Sequence, residues 1–332
     1  MTTSEIAPGI IQIDTLLGGW DKVTAGYLVQ GDAPVLVETG SQSSVRVLLD
    51  ALGTLGVSPS DLAGVAVTHI HLDHAGGVGD VARAFPTATV YVHEKGARHL
   101  VDPTRLIDSA ARVYGPLLDS LYGRLDATPA PRIHVLADGE EIRVSGDRVL
   151  TTVDSPGHAK HHLALHDSTS GILFAGDAVG VRLPDAGVLR PSTPPPDFDL
   201  DQSVHSLHRF ALRRPTGLAL AHYGLLAEPE AVLETVQRMD GHGRTGVARR
   251  GGHRRGPRRR LRVGCGRRRR RAPREARHAQ RCPLERGGLP ALARHPRRPR
   301  HPPSERADLV TVRVVGACRS RRSTPSPTIL ED

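Results

Sequence analysis

Apolar positions in the first 240 residues fall into two rhythms. Short runs such as Tyr27-Leu28-Val29-Gln30, Val35-Leu36-Val37-Glu38, Gly64-Val65-Ala66-Val67 and Ala88-Thr89-Val90-Tyr91-Val92 have the length and β-branched content of buried strands. Gly31-Asp32 between the first two makes them a hairpin. Elsewhere the apolar residues step by three and four. Val45, Leu48, Leu49 and Leu52 share one helical face, with Ser43 or Ser44 placed to cap it. Val78, Val81, Ala82 and Phe85 mark a shorter helix. Leu106, Ala110, Val113, Leu117 and Leu121 mark a long helical region that Asp102 can cap and that Gly115-Pro116 splits in two. Further short strands are expected near 133–136, 141–144, 149–153, 163–165, 172–174 and 218–220. Residues 181–200, with Pro191, Pro194, Pro195 and Pro196, read as a loop. A helix follows from about Asp201 with Val204, Leu207 and Leu212, and another runs from Glu228 to Met239. Strands followed by helices in each half define an α/β class.

This rhythm stops abruptly after Met239, and composition changes with it. Residues 241–332 hold 27 arginines, no lysine and six acidic residues, a balance of +21; residues 1–240 then carry −11 within the chain's +10. Every Tyr and Phe and the single Trp20 precede residue 240, and Cys265, Cys282 and Cys318 all follow it. The expected organisation is therefore a catalytic domain over 1–240 and an arginine-rich tail over 241–332. So many like charges and so few large apolar residues read as a disordered tail or a frameshifted terminus, since arginine without lysine is what a GC-rich coding region gives out of frame. An acidic domain is a poor match for a polyanion, which argues against a nucleic-acid partner. No run approaches the length of a membrane span, and the start, Met1-Thr2-Thr3-Ser4-Glu5-Ile6, lacks the pattern of a signal peptide, so the expected location is cytoplasmic. The expected partner is a small-molecule substrate, with oligomeric state left open.

The chemistry gathers where apolar runs end. Thr68-His69-Ile70-His71-Leu72-Asp73-His74 follows the 64–67 run, placing five donor-capable side chains in ten residues. Packing does not call for so many; imidazole and carboxylate together suit zinc, iron or manganese. Ser155-Pro156-Gly157-His158, Phe174-Ala175-Gly176-Asp177 and Ala221-His222-Tyr223-Gly224 each add one metal-competent side chain just beyond another run.

With its H-x-H-x-D-H run and the later histidine, aspartate and histidine in this order, the chain resembles the metallo-β-lactamase fold superfamily of hydrolases from about residue 10 to 240. The resemblance implies an αββα four-layer sandwich. It also implies two divalent metal ions, zinc first, with iron or manganese as alternatives. By the same analogy His69, His71 and His158 hold one ion, Asp73, His74 and His222 the other, and Asp177 bridges them. The family usually has aspartate before Thr-Gly where this chain has Glu38-Thr39-Gly40, and Glu38 would support the site from behind the ligands. Asp73 would also orient a metal-activated hydroxide or relay its proton. His161, His162 and Tyr223 are candidates to donate a proton to a leaving group or oxyanion. The implied reaction is hydrolysis of a small-molecule ester bond, thioester or lactone, as in the glyoxalase II-like or lactonase-like branches. The alternatives are a phosphodiesterase or ribonuclease-like enzyme, or a β-lactamase-like amide hydrolase.

Overall fold

Alternation along the strands decides which face meets which layer. The computed structural model describes residues 3–194, 196–230 and 233, together with 312–313. In it β1 (Thr3–Ala7), β2 (Ile10–Asp14), β3 (Ala25–Val29), β4 (Val35–Val37), β5 (Gly64–Ala66), β6 (Thr89–His93) and β7 (Ile133–Leu136) lie side by side in sequence order. The first four pair antiparallel and the last four parallel. The parallel half needs helical crossovers, supplied by α1 (Val45–Thr54), α2 (Leu72–Ala75), α3 (Val78–Ala84), α4 (Glu94–Val101), α5 (Thr104–Tyr114) and α6 (Leu117–Leu121).

The second sheet holds β8 (Glu141–Ser145), β9 (Arg148–Asp154), β10 (Leu163–Asp167) and β11 (Ile172–Gly176). The chain then makes a small separate hairpin, β12 (Val181–Leu183) and β13 (Val188–Arg190), inside the stretch expected to be loop. It passes through α7 (Leu200–Leu212) and returns to the sheet as β14 (Gly217–Leu220) and β15 (Gly224–Leu226). The sheet order is β15-β14-β11-β10-β9-β8, with only β11 and β14 parallel.

Tyr27, Val29, Val35 and Val37 of the first sheet meet Leu163, Leu165, Phe174 and Ala219 of the second. The Tyr27 and Phe174 rings sit 5.3 Å apart in that seam. Leu28, Leu36 and Val65 point the other way, onto Leu48 and Leu52 of α1 and Val81 of α3. On the far side Val153, Ala164, Leu173 and Leu218 face Leu207 and Phe210 of α7. Helix, sheet, sheet, helix is the expected αββα sandwich. A buried Arg148–Asp167 ion pair, 2.8 Å, ties β9 to β10 within the second sheet.

Three details differ from the periodicity. Neither Ser43 nor Ser44 caps α1: Ser43 Oγ donates to the Leu121 carbonyl, and Ser44 makes no cap bond. Helix α4 was not expected. Of the α5–α6 stripe, Ala110 is buried, but Val113 and Leu117 are exposed. Spacing set these residues on one stripe, but Val113 faces out from α5 and Leu117 from α6, on either side of the break at Gly115-Pro116. Apart from Glu228–Glu230, Leu233, Val312 and Arg313, the helix expected over 228–239 and the arginine-rich tail lie outside the described residues. Among the described residues no helix is long and apolar enough to cross a membrane.

Candidate metal centre

Four sequence-distant segments converge at one end of the two sheets. Directly after β5 come Thr68, His69 and His71, and α2 carries Asp73 and His74. His158 follows β9, Asp177 follows β11 and His222 follows β14. Strand ends suit this task, because the backbone up to the donor is fixed by the ladder while the donor itself is free to turn inward. All seven side chains meet. Their donor atoms form three groups, His69–His71–His158, His69–His74–Asp177 and Asp73–His74–His222, each within 4.8 Å. His71 Nδ1 lies 3.1 Å from His158 Nε2, and His222 Nε2 lies 3.2 Å from Asp73 Oδ2. Asp177 Oδ2 is 3.6 Å from His158 Nε2 and 3.7 Å from His222 Nε2, so this one carboxylate stands between the two outer groups.

The donors have a charge state suited to a cation. Burial holds His69 well below the usual imidazole range, and burial followed by the His158 ring takes His71 down to about 4. Burial opposes ionisation of Asp73 and Asp177, yet the surrounding His74 and His222 rings win and keep both carboxylates charged. His74 is the mirror case: burial pulls it down, but Asp73 and Asp177 lift it to about 10. A proton on His74 thus does what a dication would do better.

The buried His69 Nε2, His74 Nε2 and Asp177 Oδ1 make no hydrogen bond, the last two facing each other at 3.6 Å. Three converging buried donors without a hydrogen bond make sense when a metal takes them. Nitrogen and carboxylate oxygen suit a first-row divalent metal, and the donor set fits two of them.

Outer contacts fix the imidazoles. His222 Nδ1–H donates to the Val23 carbonyl at 2.8 Å and His158 Nδ1–H to the Ser192 carbonyl at 3.1 Å. Each Nε2 is left as a bare lone pair facing the site. Thr68 Oγ1 and His69 Nδ1 share a 2.9 Å hydrogen bond. Glu38 is buried at a positive φ of 65°, and its Oε1 accepts from the Thr68 N–H at 3.1 Å. Burial pushes its carboxyl up to about 7. Next to it Thr39 donates through both N and Oγ1 to the His74 carbonyl, each at 2.8 Å. The corner Glu38-Thr39-Gly40 therefore grips both ends of the histidine-rich segment. Sequence reasoning missed Thr39, Ser192 and the Val23 carbonyl, and only a carbonyl's neighbours in space reveal the last two.

The proposed proton donors separate. Tyr223 faces away: its hydroxyl donates to Asp14 Oδ2 at 3.4 Å, and burial with the Asp14 charge raises it to about 12. The expectation that it serves an oxyanion gives way to a role in holding Asp14. His162 is fully buried, with Nδ1–H donating to Ser155 Oγ at 2.8 Å and Nε2 accepting from the Asp177 N–H at 3.2 Å. Both nitrogens are used, so it sits behind Asp177 and has no proton for a substrate. Gly176 makes room for it: at φ +51°, an added Cβ would lie 2.5 Å from both His162 Nε2 and Thr68 Oγ1. His161 is the one that borders the site. It is half-buried, its ring lies parallel to His69 at 6.3 Å, and its Nδ1 accepts from the Ile70 N–H at 3.4 Å.

Comparison with known proteins agrees with this geometry. The model of the metallo-β-lactamase superfamily matches residues 18–222. The chain belongs to that superfamily and is a metal-dependent hydrolase of it. It is 26% identical over 219 residues to the uncharacterized protein YobT of Bacillus subtilis, covering 64% of this chain and 88% of that one. It is 34% identical over 162 residues to the acyl-coenzyme A thioesterase MBLAC2 of Gallus gallus, covering 46% of this chain and 56% of that protein, little more than half its length. Among solved structures it is similar to an archaeal superfamily member from Sulfolobus tokodaii, with a TM-score of 0.56 and 25% identity over 66% of this chain and 80% of that one.

Proposed function

We propose that this chain is a binuclear metal-dependent thioesterase acting on a small-molecule acyl thioester. The observation that carries the binuclear part is the placement of Asp177 between two complete donor groups. The thioester part draws support from relatives named as thioesterases: MBLAC2, and the atrochrysone carboxyl ACP thioesterase of Aspergillus fumigatus, 27% identical over 164 residues, 46% of this chain and 30% of that one.

In this reading His69, His71 and His158 hold one ion, Asp73, His74 and His222 the second, and Asp177 both. Zinc is the first choice. Bound divalent metals supply Lewis acidity and bring the pKa of water from 15.7 toward about 7. The chain's own residues do the rest. Asp73 Oδ2, beside His222 Nε2, takes the proton of the attacking water as its oxygen bonds to the carbonyl carbon. The C–S bond then breaks, and the same proton passes to the leaving sulfur, giving carboxylic acid and thiol. His161, with Nδ1 committed to the Ile70 N–H, carries its hydrogen on Nε2 and offers it to the carbonyl oxygen. His162 and Glu38 hold the Asp177 and Thr68 backbone in place. In the same reading the protein acts in the cytoplasm.

The deciding experiment measures metal content and turnover of the full chain, loaded with zinc, iron or manganese, on acyl thioesters, a lactone, a β-lactam and a phosphodiester. Two metals per chain with preference for the thioester are expected. A preference for any other substrate class would sink the thioester assignment, and a content of one metal or less would sink the binuclear one.

A further inference from the structure

A loop and a helix pair beside the metal centre expose apolar side chains that the fold does not need outside. Trp20 is 61% exposed, Leu117 57%, Val113 71% and Tyr114 39%. Trp20 rides on a braced loop. The Asp14 carboxylate accepts from the N–H groups of Leu16 (3.0 Å) and Lys22 (2.7 Å), and Thr15 and Thr24 close the loop's base through a 2.6 Å hydroxyl pair. The loop ends on the Val23 carbonyl that holds His222. Its tip touches α6: a Cβ on Gly18 would meet the Trp20 ring at 2.7 Å and Leu121 Cδ2 at 3.0 Å. Leu117 is one helical turn before Leu121 and lies on the same side.

The core beneath these side chains reaches the site. Leu17, Leu118 and Tyr122 belong to the apolar cluster that includes Leu72, the neighbour of Asp73, with Val23 and Leu121 packed at its edge. The Tyr122 ring meets the Tyr114 ring at 4.5 Å, tilted by 46°, and after burial the nearby Asp73 charge is the main cause that raises its phenol pKa. The Ser43 N–H and hydroxyl bind the Tyr122 and Leu121 carbonyls, fixing the end of α6 to the turn that packs on Gly76, two residues after His74. Apolar side chains thus lead from the ligand-bearing α2 through Leu17, Leu118 and Tyr122 to Trp20 and Tyr114 at the surface.

We propose that this path is the acyl subsite, and that the substrate carries a long, apolar acyl group laid along Tyr122, Tyr114, Leu117 and Trp20. The proposal rests on the thioesterase reading and deepens it. A short polar acyl group would leave these side chains in water, whereas each methylene placed on them leaves water and tightens binding. Selectivity then rises with chain length.

Trp20 is the only tryptophan, so its emission reports occupancy without turnover. Metal-loaded full-length protein is titrated with decanoate and with butyrate, which share a carboxylate and differ only in chain. A saturable blue shift with decanoate at a concentration about tenfold or more below that needed for butyrate is expected. Leu117→Asp should weaken the decanoate response and lower kcat/KM on a decanoyl thioester relative to an acetyl one. Metal content should not move. Silent or equal responses to the two acids, with equal kcat/KM on both thioesters, would overturn the subsite and leave the thioesterase reading standing. Decanoate binding without hydrolysis of either thioester would overturn that reading and leave the apolar path as a binding site. An emission shift that tracks protein concentration instead of decanoate would assign the patch to a second copy of the chain and overturn the subsite.

Discussion

The two halves of the molecule reach the same metal centre by different means. The first half delivers His69, His71, Asp73 and His74 from one strand end and one short helix, four donors in six consecutive residues. The second half delivers His158, Asp177 and His222 from three different strand ends, spread over 65 residues of chain. The first set is nearly a local structure, so its geometry depends on a turn and on the Glu38-Thr39-Gly40 corner. The second depends on the register of β9, β11 and β14, and on the sheets staying packed through Tyr27 and Phe174.

If both halves feed the same pair of ions, one ligand removed from either side should have the same effect. His71→Ala and His158→Ala are each expected to lose one metal per chain and to cut turnover by more than the ~100-fold upper end typical of residues that only support ligands. Unequal metal loss, measured by elemental analysis of the two variants, would break the equivalence.

The second half should alone be sensitive to sheet integrity. Asp167→Ala removes the carboxylate partner of the partly buried Arg148, which keeps a 3.3 Å hydrogen bond to the Gln30 carbonyl, and should cost about 1–3 kcal/mol in denaturant unfolding, with two metals still bound in the folded fraction. Burial opposes the Asp167 charge, but Arg148 and Ser170 win and lower its pKa from 3.8. A depressed carboxylate contributes its full stability above the unfolded value and loses it as pH falls through the folded one. The stability gap between wild type and variant should therefore be flat above about pH 5 and close only in stronger acid. A gap that closes near neutrality would contradict the assignment.

A smaller effect is expected from His162→Phe, which keeps the volume but removes the acceptor for the Asp177 N–H and the donor to Ser155. Metal affinity should fall about 10–100-fold, read by competition with a chelating dye, while the folded state persists. Unchanged affinity would show that Asp177 is held by its strand alone. The smallest effect belongs to Arg209→Ala. This partly exposed pair with Asp138 is worth about 1 kcal/mol or less in thermal unfolding and should leave metal and turnover unchanged.

The four-layer arrangement came from the family resemblance, but many of the strands and helices were legible in the runs and steps of apolar residues, because burial on one face imposes its period on the chain whatever the partner is. The strands β3 to β6 and helices α1 and α3 came from that rule. It failed at α5–α6, where Val113 and Leu117 keep the helical spacing yet face outward. Spacing states which residues share a face; it does not state what, if anything, covers that face. Short β12 and β13 were missed because, unlike the equally short β4 and β5, they do not lie in an unbroken apolar run: Arg182 and Arg190 interrupt them.

For the site, the sequence by itself determined the inventory: which donors exist, and that each stands just past an apolar run. Residue chemistry is local, so it survives reading in one dimension. Only the tertiary structure decided how the inventory is used. It put Asp177 between two donor groups, turned Tyr223 toward Asp14, buried His162 behind Asp177 and left His161 at the border. The resemblance had already singled out Asp177 as the bridge, but Tyr223, His161 and His162 were candidates for one and the same role. They differ in which neighbours their last polar atom meets, and that is set by contacts between segments tens to hundreds of residues apart.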